Sequence, residues 1–180
     1  MKDDFSTTED EWFDVVDALD QTIDRELREE VHRKGLFHRA IHVFVLDKDE
    51  RLVVQRRSSS KDTAPGLWCS SCSGHLDAGE EYLAGAVREL DEEIGLAAFP
   101  TELRQILMVS PCLQTGWEFT RVYFLRADGP FVFAPEEITE LRLLSLAKVD
   151  QWLSQSPEDF SPSFKHLYQL SRFSPSLRAG

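Results

Sequence analysis

Three carboxylates with helical spacing, Glu89, Glu92 and Glu93, follow directly on Arg88. At about 100° per residue, Glu92 and Glu93 fall roughly 60° to one side and 40° to the other side of Glu89, so all three share one face. Like charges packed this closely raise one another's pKa and cost free energy unless a hard cation neutralises them. The chemistry that follows is divalent-cation chemistry: neutralising anionic oxygens, polarising an electrophile and acidifying a water. Arg88 projects beside the acids, where a planar guanidinium can hold a carboxylate at a fixed angle; the bland alternative is an exposed ion pair.

The helix that must carry these acids has its own anchor. Leu83, Val87, Leu90 and Ile94 fall roughly 100 to 160° from Glu89, forming a narrow apolar stripe that buries one side. Gly85, one turn before Glu89 on the acidic face, has no side chain and leaves room for an ion and its ligands. Gly95 supplies a left-handed cap. Glu80 projects away from Glu89 if the helix reaches back that far, which suits it to the helix start, where an acid favours the dipole. Asp91 lies opposite Glu89 and reads as solvated. A merely solvated acidic face is the usual reading of a Glu-rich helix, but it gives no reason for the two glycines.

Taken whole, the stretch from Gly74 through Glu80 to Arg88-Glu-Leu-Asp-Glu-Glu-Ile-Gly-Leu96 resembles a Nudix box, spanning residues 74–96. The resemblance implies a hydrolase that cuts diphosphate linkages with Mg²⁺ or Mn²⁺. It assigns Glu89 and Glu93 as main metal ligands and Glu92 as a third ligand or a group that holds a water. Arg88, Glu89 and Glu92 form the expected catalytic set. A general base is still required, from among the box glutamates or from Glu118, Glu136 and Glu137, which stay unranked.

Outside the box, Gly35-Leu36-Phe37-His38-Arg39-Ala40, Gln55-Arg56-Arg57, Lys61, Pro65-Gly66-Leu67-Trp68, Gly74-His75 and Phe160-Ser161-Pro162 are similar, in order, to isopentenyl-diphosphate isomerases and the hydrolases that look like them. On that resemblance Arg57 and Lys61 match positions that contact diphosphate, and His38 and His75 match metal-ligand or site-lining positions. The bland readings are solvated cations and hydrogen-bonding histidines. Trp68 could stack on a base or prenyl tail, or cover the core. Ser73 stands where such isomerases carry a cysteine, with Cys72 one step away on the opposite face of an extended segment. Ser163 replaces their tryptophan, and the box is complete. These departures favour a diphosphate hydrolase of the isomerase-like subgroup, with isopentenyl-diphosphate isomerase as the alternative and a non-catalytic nucleotide-binding module as a third reading.

The chain has 180 residues, 42% hydrophobic, with a net charge of -12. That suits one domain, residues 11–175, behind a flexible tail of residues 1–10. So acidic a chain lacks the general attraction needed for a nucleic-acid polymer or an anionic membrane, but a small phosphorylated substrate remains compatible once cations and a few basic residues reverse the sign locally. Cys69, Cys72 and Cys112 are too few for a disulfide framework, and without a signal peptide or long apolar run the expected location is the cytoplasm. A lone CxxC lacks the second ligand pair of a zinc site, and a redox role is weighed only a little higher. The resemblance leaves a homodimer open.

Periodicity and turn residues supply the frame. A hairpin is expected over residues 11–19 and 23–27, with an amphipathic helix as the alternative for its first part, then a helical turn from Arg28 to Lys34 ending at Gly35. Strands are expected over 38–46, 51–55, 102–113, 117–126 and 138–146, with helices over 147–153 and 163–173 and a loop at Pro65-Gly66 leading through Trp68 into the box. Strands interleaved with helices make this an α/β chain, and the resemblance implies a Nudix α/β/α sandwich with a mixed sheet.

Overall fold

A computed structural model describes residues 11–174; the tail expected over residues 1–10, and residue 175, lie outside the described residues. The first described element is the expected hairpin, β1 (Trp12–Val16) paired antiparallel with β2 (Thr22–Leu27). Helix α1 (Arg28–Lys34) follows and stops at Gly35, whose φ of 62° is left-handed, a conformation glycine adopts without penalty. The remaining elements are β3 (His38–Leu46), β4 (Arg51–Arg57), β5 (Trp68–Cys69), β6 (Cys72–His75), α2 (Tyr82–Ile94), β7 (Arg104–Val109), β8 (Glu118–Arg126), β9 (Ile138–Ser145), α3 (Leu146–Gln155) and α4 (Pro162–Ser171).

Strands β3 to β9 make one mixed sheet. Its path runs β5-β4-β3-β8-β7, with β6 also on β3 and β9 also on β4. Among the described strands only β3 and β8 pair in parallel, setting His38 opposite Glu118, while an isolated parallel bridge joins Trp68 to Phe160. Parallel neighbours need a long crossover, which here contains the acidic helix.

The sheet is buried on both faces, and the period of two in its strands sorts the core into two layers. Ile41, Val43 and Val45 of β3 and Val53 of β4 pack with Ala86, Leu90 and Ile94 of α2. Their neighbours Phe44, Leu46, Leu52 and Val54 pack with Val149 of α3 and Phe164, Leu167 and Tyr168 of α4. The result is the expected α/β/α sandwich. Fully burying one such aliphatic side chain stabilises the fold by roughly 1.5–3 kcal/mol, so the nonpolar stripe of α2 fixes the orientation of its acidic face.

Some boundaries differ from the sequence reading. The strand expected over 102–113 is only Arg104–Val109, because Pro100–Glu102 and Leu113–Thr115 fold as tight 3₁₀ turns. Strands β5 and β6 replace the expected loop around Trp68 and the start of the box; two to four residues give too little alternation to show a period. No helix among the described residues is long and apolar enough to cross a membrane.

Candidate active site

Strand β6 and helix α2 meet at a cavity of about 630 Å³ that brings the acidic helix together with the N-terminal hairpin, β8 and the start of α4. Glu89, Glu92, Glu93 and Arg88 line it, as do Arg57, Lys61, His75, Glu118 and Glu137.

The α2 acids differ in environment. Glu93 is buried, and its Oε2 accepts from the Ser73 backbone N–H and from Gln55 Nε2, both at 2.9 Å. Glu89 lies against β6 so closely that a Cβ on Gly74 would stand 2.0 Å from Glu89 Oε1. Burial and the neighbouring Glu93 raise the Glu89 carboxyl to about 8, against the pull of Arg88. Burial likewise raises Glu93 to about 7, although the Ser73 N–H, Gln55 and Arg57 favour its charged form. Two adjacent acids held reluctant to ionise are the donor set a dication relieves. Glu92 is more exposed and is tied to Arg88.

Arg88 holds the acids in place. Its Nε and one terminal nitrogen donate to the two oxygens of Glu80 at 3.0 and 2.8 Å, and its other terminal nitrogen donates to Glu89 and Glu92 at 2.9 Å each. It also donates to the His75 carbonyl at 3.0 Å. This fork is a partly buried brace rather than an isolated surface pair. Glu80 lies at the helix start, just before the N-cap Glu81, and its carboxylate turns to Arg88 rather than standing free at the helix end. A Cβ on Gly85 would meet Glu80 Oε2 at 3.1 Å and Leu76 Cγ at 3.3 Å. The space at Gly85 is thus bordered by the Glu80 carboxylate and Leu76.

Across the cavity, Arg57 donates to the Thr63 carbonyl at 2.9 Å and to Thr63 Oγ1 at 3.3 Å, without a carboxylate partner in those bonds. Lys61 pairs with Glu137. Trp68 is not on this wall. It is 4% exposed, its ring packs against Trp152 at 5.2 Å, and Arg142 lies over it at 4.6 Å. The substrate contact expected of Trp68 is thus replaced by a place in the core, because α3 and the chain before α4 cover its ring.

A second donor cluster occupies the hairpin side. One ring nitrogen from each of His32, His38 and His75 lies within 4.8 Å of the others. His75 Nε2 is 3.0 Å from Glu118 Oε1, and His38 Nε2 is 3.7 Å from the same oxygen. The Phe13 ring stacks on His75 at 4.9 Å and on His38 at 5.6 Å. Burial, then His75 and His38, lower His32 to about 4, and burial also lowers His75. Burial alone would raise the Glu118 carboxyl, but the two histidines hold it below the ordinary carboxylate range. The buried Nε2 atoms of His32 and His38 have no hydrogen-bond partner. Imidazole nitrogens without partners on His32 and His38, beside a carboxylate, fit a transition-metal or zinc-like ion. His32 was missed in the sequence because only the return of α1 over the hairpin brings it to His38. Of the acids left unranked, Glu118 and Glu137 line the cavity and Glu136 does not.

The NUDIX domain family model matches residues 36–166. A Serratia proteamaculans protein named isopentenyl-diphosphate Delta-isomerase is 36% identical over 160 residues, covering 86% of this chain and 88% of its own. An uncharacterised Nudix hydrolase of Yersinia pestis is 37% identical over 133 residues, covering 73% and 71%. A solved Deinococcus radiodurans structure, 24% identical, superposes with a TM-score of 0.73 over 92% of this chain and 99% of that one. At that identity the superposition speaks for the fold.

Proposed function

The chain belongs to the NUDIX domain family, in its isopentenyl-diphosphate-isomerase-like subgroup, and on that premise we propose that it is a divalent-cation-dependent hydrolase of a diphosphate linkage in a small phosphorylated substrate. The observation that supports this most is the pair of Glu89, half-buried, and Glu93, buried, side by side on a cavity wall and held away from easy ionisation. Glu89 and Glu93 would hold Mg²⁺ or Mn²⁺, with Glu92 as the more exposed third acid. When bound, the cation supplies charge neutralisation at the diphosphate and acidifies a water.

The chain's own residues do the rest. Arg88 keeps Glu80, Glu89 and Glu92 at fixed angles. The Ser73 N–H and Gln55 aim one oxygen of Glu93. Arg57 offers an extended fork to a phosphate, and Lys61 can exchange Glu137 for a second phosphate oxygen. Fixing these charges before substrate arrives is the main catalytic economy of such a site. Hydrolysis of a panel of nucleoside diphosphate derivatives and prenyl diphosphates, with phosphate or monophosphate release followed with and without Mg²⁺, tests the reading. Silence across the panel that persists in Mn²⁺ would overturn it.

A second reading, isopentenyl-diphosphate isomerase, is favoured by the name of the Serratia relative and by Glu118 held ionised between His38 and His75 beside the same cavity. A carboxylate so placed could remove a proton from carbon. Deuterium uptake from heavy water into isopentenyl diphosphate distinguishes this from hydrolysis, which leaves the carbon chain unlabelled. The non-catalytic module predicts binding without turnover in either assay.

A further inference from the structure

One nucleophile on the cavity wall has no part in either reaction above. Cys69, at the end of β5, is 2% exposed and lines the cavity beside Ser73, Ser161 and His42. Its Sγ accepts from Ser161 Oγ at 3.5 Å and lies 3.7 Å from both Ser70 Oγ and Ser73 Oγ. Ser161 is the N-cap of α4, a ten-residue helix, so the sulfur faces the positive end of a helix dipole. His42, on β3, lines the same cavity, and its Nδ1 lies 2.5 Å from Ser70 Oγ, the hydroxyl that stands 3.7 Å from the sulfur. A nucleophile, a bridging hydroxyl and a base therefore stand in sequence.

We propose that Cys69, paired with His42 and facing the start of α4, is a reactive thiol that a small hydroperoxide entering the cavity oxidises to a sulfenic acid. The thiol proton passes to His42, and the sulfur attacks the distal peroxide oxygen. The S–O bond forms as the O–O bond breaks, and the departing alkoxide or hydroxide recovers the proton from His42 and leaves as alcohol or water. Sulfur is oxidised by two electrons and the peroxide is reduced by two. The hydroxyls of Ser73 and Ser161 flank the sulfur where the oxygens must pass.

The electrostatics agree with the geometry. Burial alone would raise the Cys69 thiol, but His42, Arg57 and Ser161 bring it down to about 6, within the range of reactive cysteines. Glu93 across the cavity and Cys72 on β6 are the ionisable groups that oppose this on the other side. Cys72 is the internal contrast: it is fully buried beside Glu93 and Glu89, and burial and those acids push its thiol up. The CxxC, for which the sequence alone puts a redox role only a little above zinc binding, thus holds two thiols of opposite character.

The labelling does not depend on the hydrolase reading. A consequence that does rest on that reading is loss of turnover, since an oxygen on Cys69 would crowd Ser73, whose N–H holds Glu93. The two are measured separately, so either can fail alone. The intact, folded protein is treated briefly with hydrogen peroxide at neutral pH in the presence of dimedone, and the adduct is mapped across Cys69, Cys72 and Cys112. Cys69 is expected to carry the adduct about tenfold faster than either other cysteine, and His42→Asn to slow it by about as much. Circular dichroism of His42→Asn checks folding, and the three-cysteine comparison in the unmodified protein needs no variant. Equal labelling of all three, or labelling of Cys112 with Cys69 spared, would overturn the proposal.

Discussion

Gly74 and Glu89 touch across the β6–α2 interface so closely that a Cβ on the glycine would stand 2.0 Å from a carboxylate oxygen. The nearest atoms are the far end of a flexible side chain, and Gly74 has no positive φ. Gly74→Ala should therefore fold with little loss of stability while swinging Glu89 off the cavity wall. Turnover is expected to fall by roughly 10²-fold or more with the melting temperature nearly unchanged, which steady-state kinetics and a thermal melt would check together. Wild-type turnover would show that Glu89 is not needed where it stands.

The pH dependence of the metal-free protein has a definite sign. Glu89 and Glu93 have folded-state pKa values of about 8 and about 7, raised from 4.5. The folded state therefore keeps protons that the unfolded chain releases, and this contribution to stability is lost as pH rises from 4.5 through those values. Melting temperatures in EDTA should fall across that window, and Mg²⁺ should restore most at its alkaline end, where it competes with fewer protons. Glu93→Gln should flatten both trends and lower turnover by several orders of magnitude.

Arg57 should act on binding more than on the chemical step. Its fork is held only by Thr63 in the bonds described, so Arg57→Gln is expected to raise KM about tenfold and change kcat only a few-fold. A large fall in kcat at constant KM would move Arg57 from anchoring substrate to stabilising the transition state.

The histidine cluster and the glutamate cluster should be separable. Removing one imidazole with His32→Ala should abolish one class of Mn²⁺ or Zn²⁺ binding seen by calorimetry, and leave a Mg²⁺ class that depends on Glu89 and Glu93. A single class of sites lost in both His32→Ala and Glu89→Gln would indicate one shared centre.

Trp68→Ala should cost about 3–5 kcal/mol of stability and leave KM nearly unchanged in whatever fraction folds, as denaturant melts and kinetics would show. A raised KM with wild-type stability would return Trp68 to the substrate wall.

What could be read from sequence followed the range of the forces involved. The grouping of Glu89, Glu92 and Glu93 needs only helical geometry, and the apolar stripe of α2 needs only a core to face, so both were legible from a few turns of chain. Glycine's left-handed stops at Gly35 and Gly95 are equally local. Trp68 could not be placed because its partners, Trp152 and Phe160, lie more than eighty residues further on. His32 reached its neighbours only through the fold of the N-terminal hairpin, and Glu80 reached Arg88 through a loop with no period. The difference between Cys69 and Cys72 depends on which side of the sheet each thiol faces, and neighbouring acids or a histidine then decide its charge.

The parallel pairing of β3 with β8 also constrains how the molecule comes into being. Strand β3 is made before its partner, and each of its residues is matched 80 positions later, as His38 is by Glu118, after α2 and β7 have been made. Until then the carboxylate opposite His38 does not exist, and the imidazoles have nothing to close upon. A nascent chain halted before Glu118 should carry the acidic helix yet have no enclosed pocket, and long-range closures of this kind are slow compared with hairpins and helices. Cation-dependent protection from proteolysis should therefore arise abruptly, once β8 is free to dock, rather than grow with each residue added.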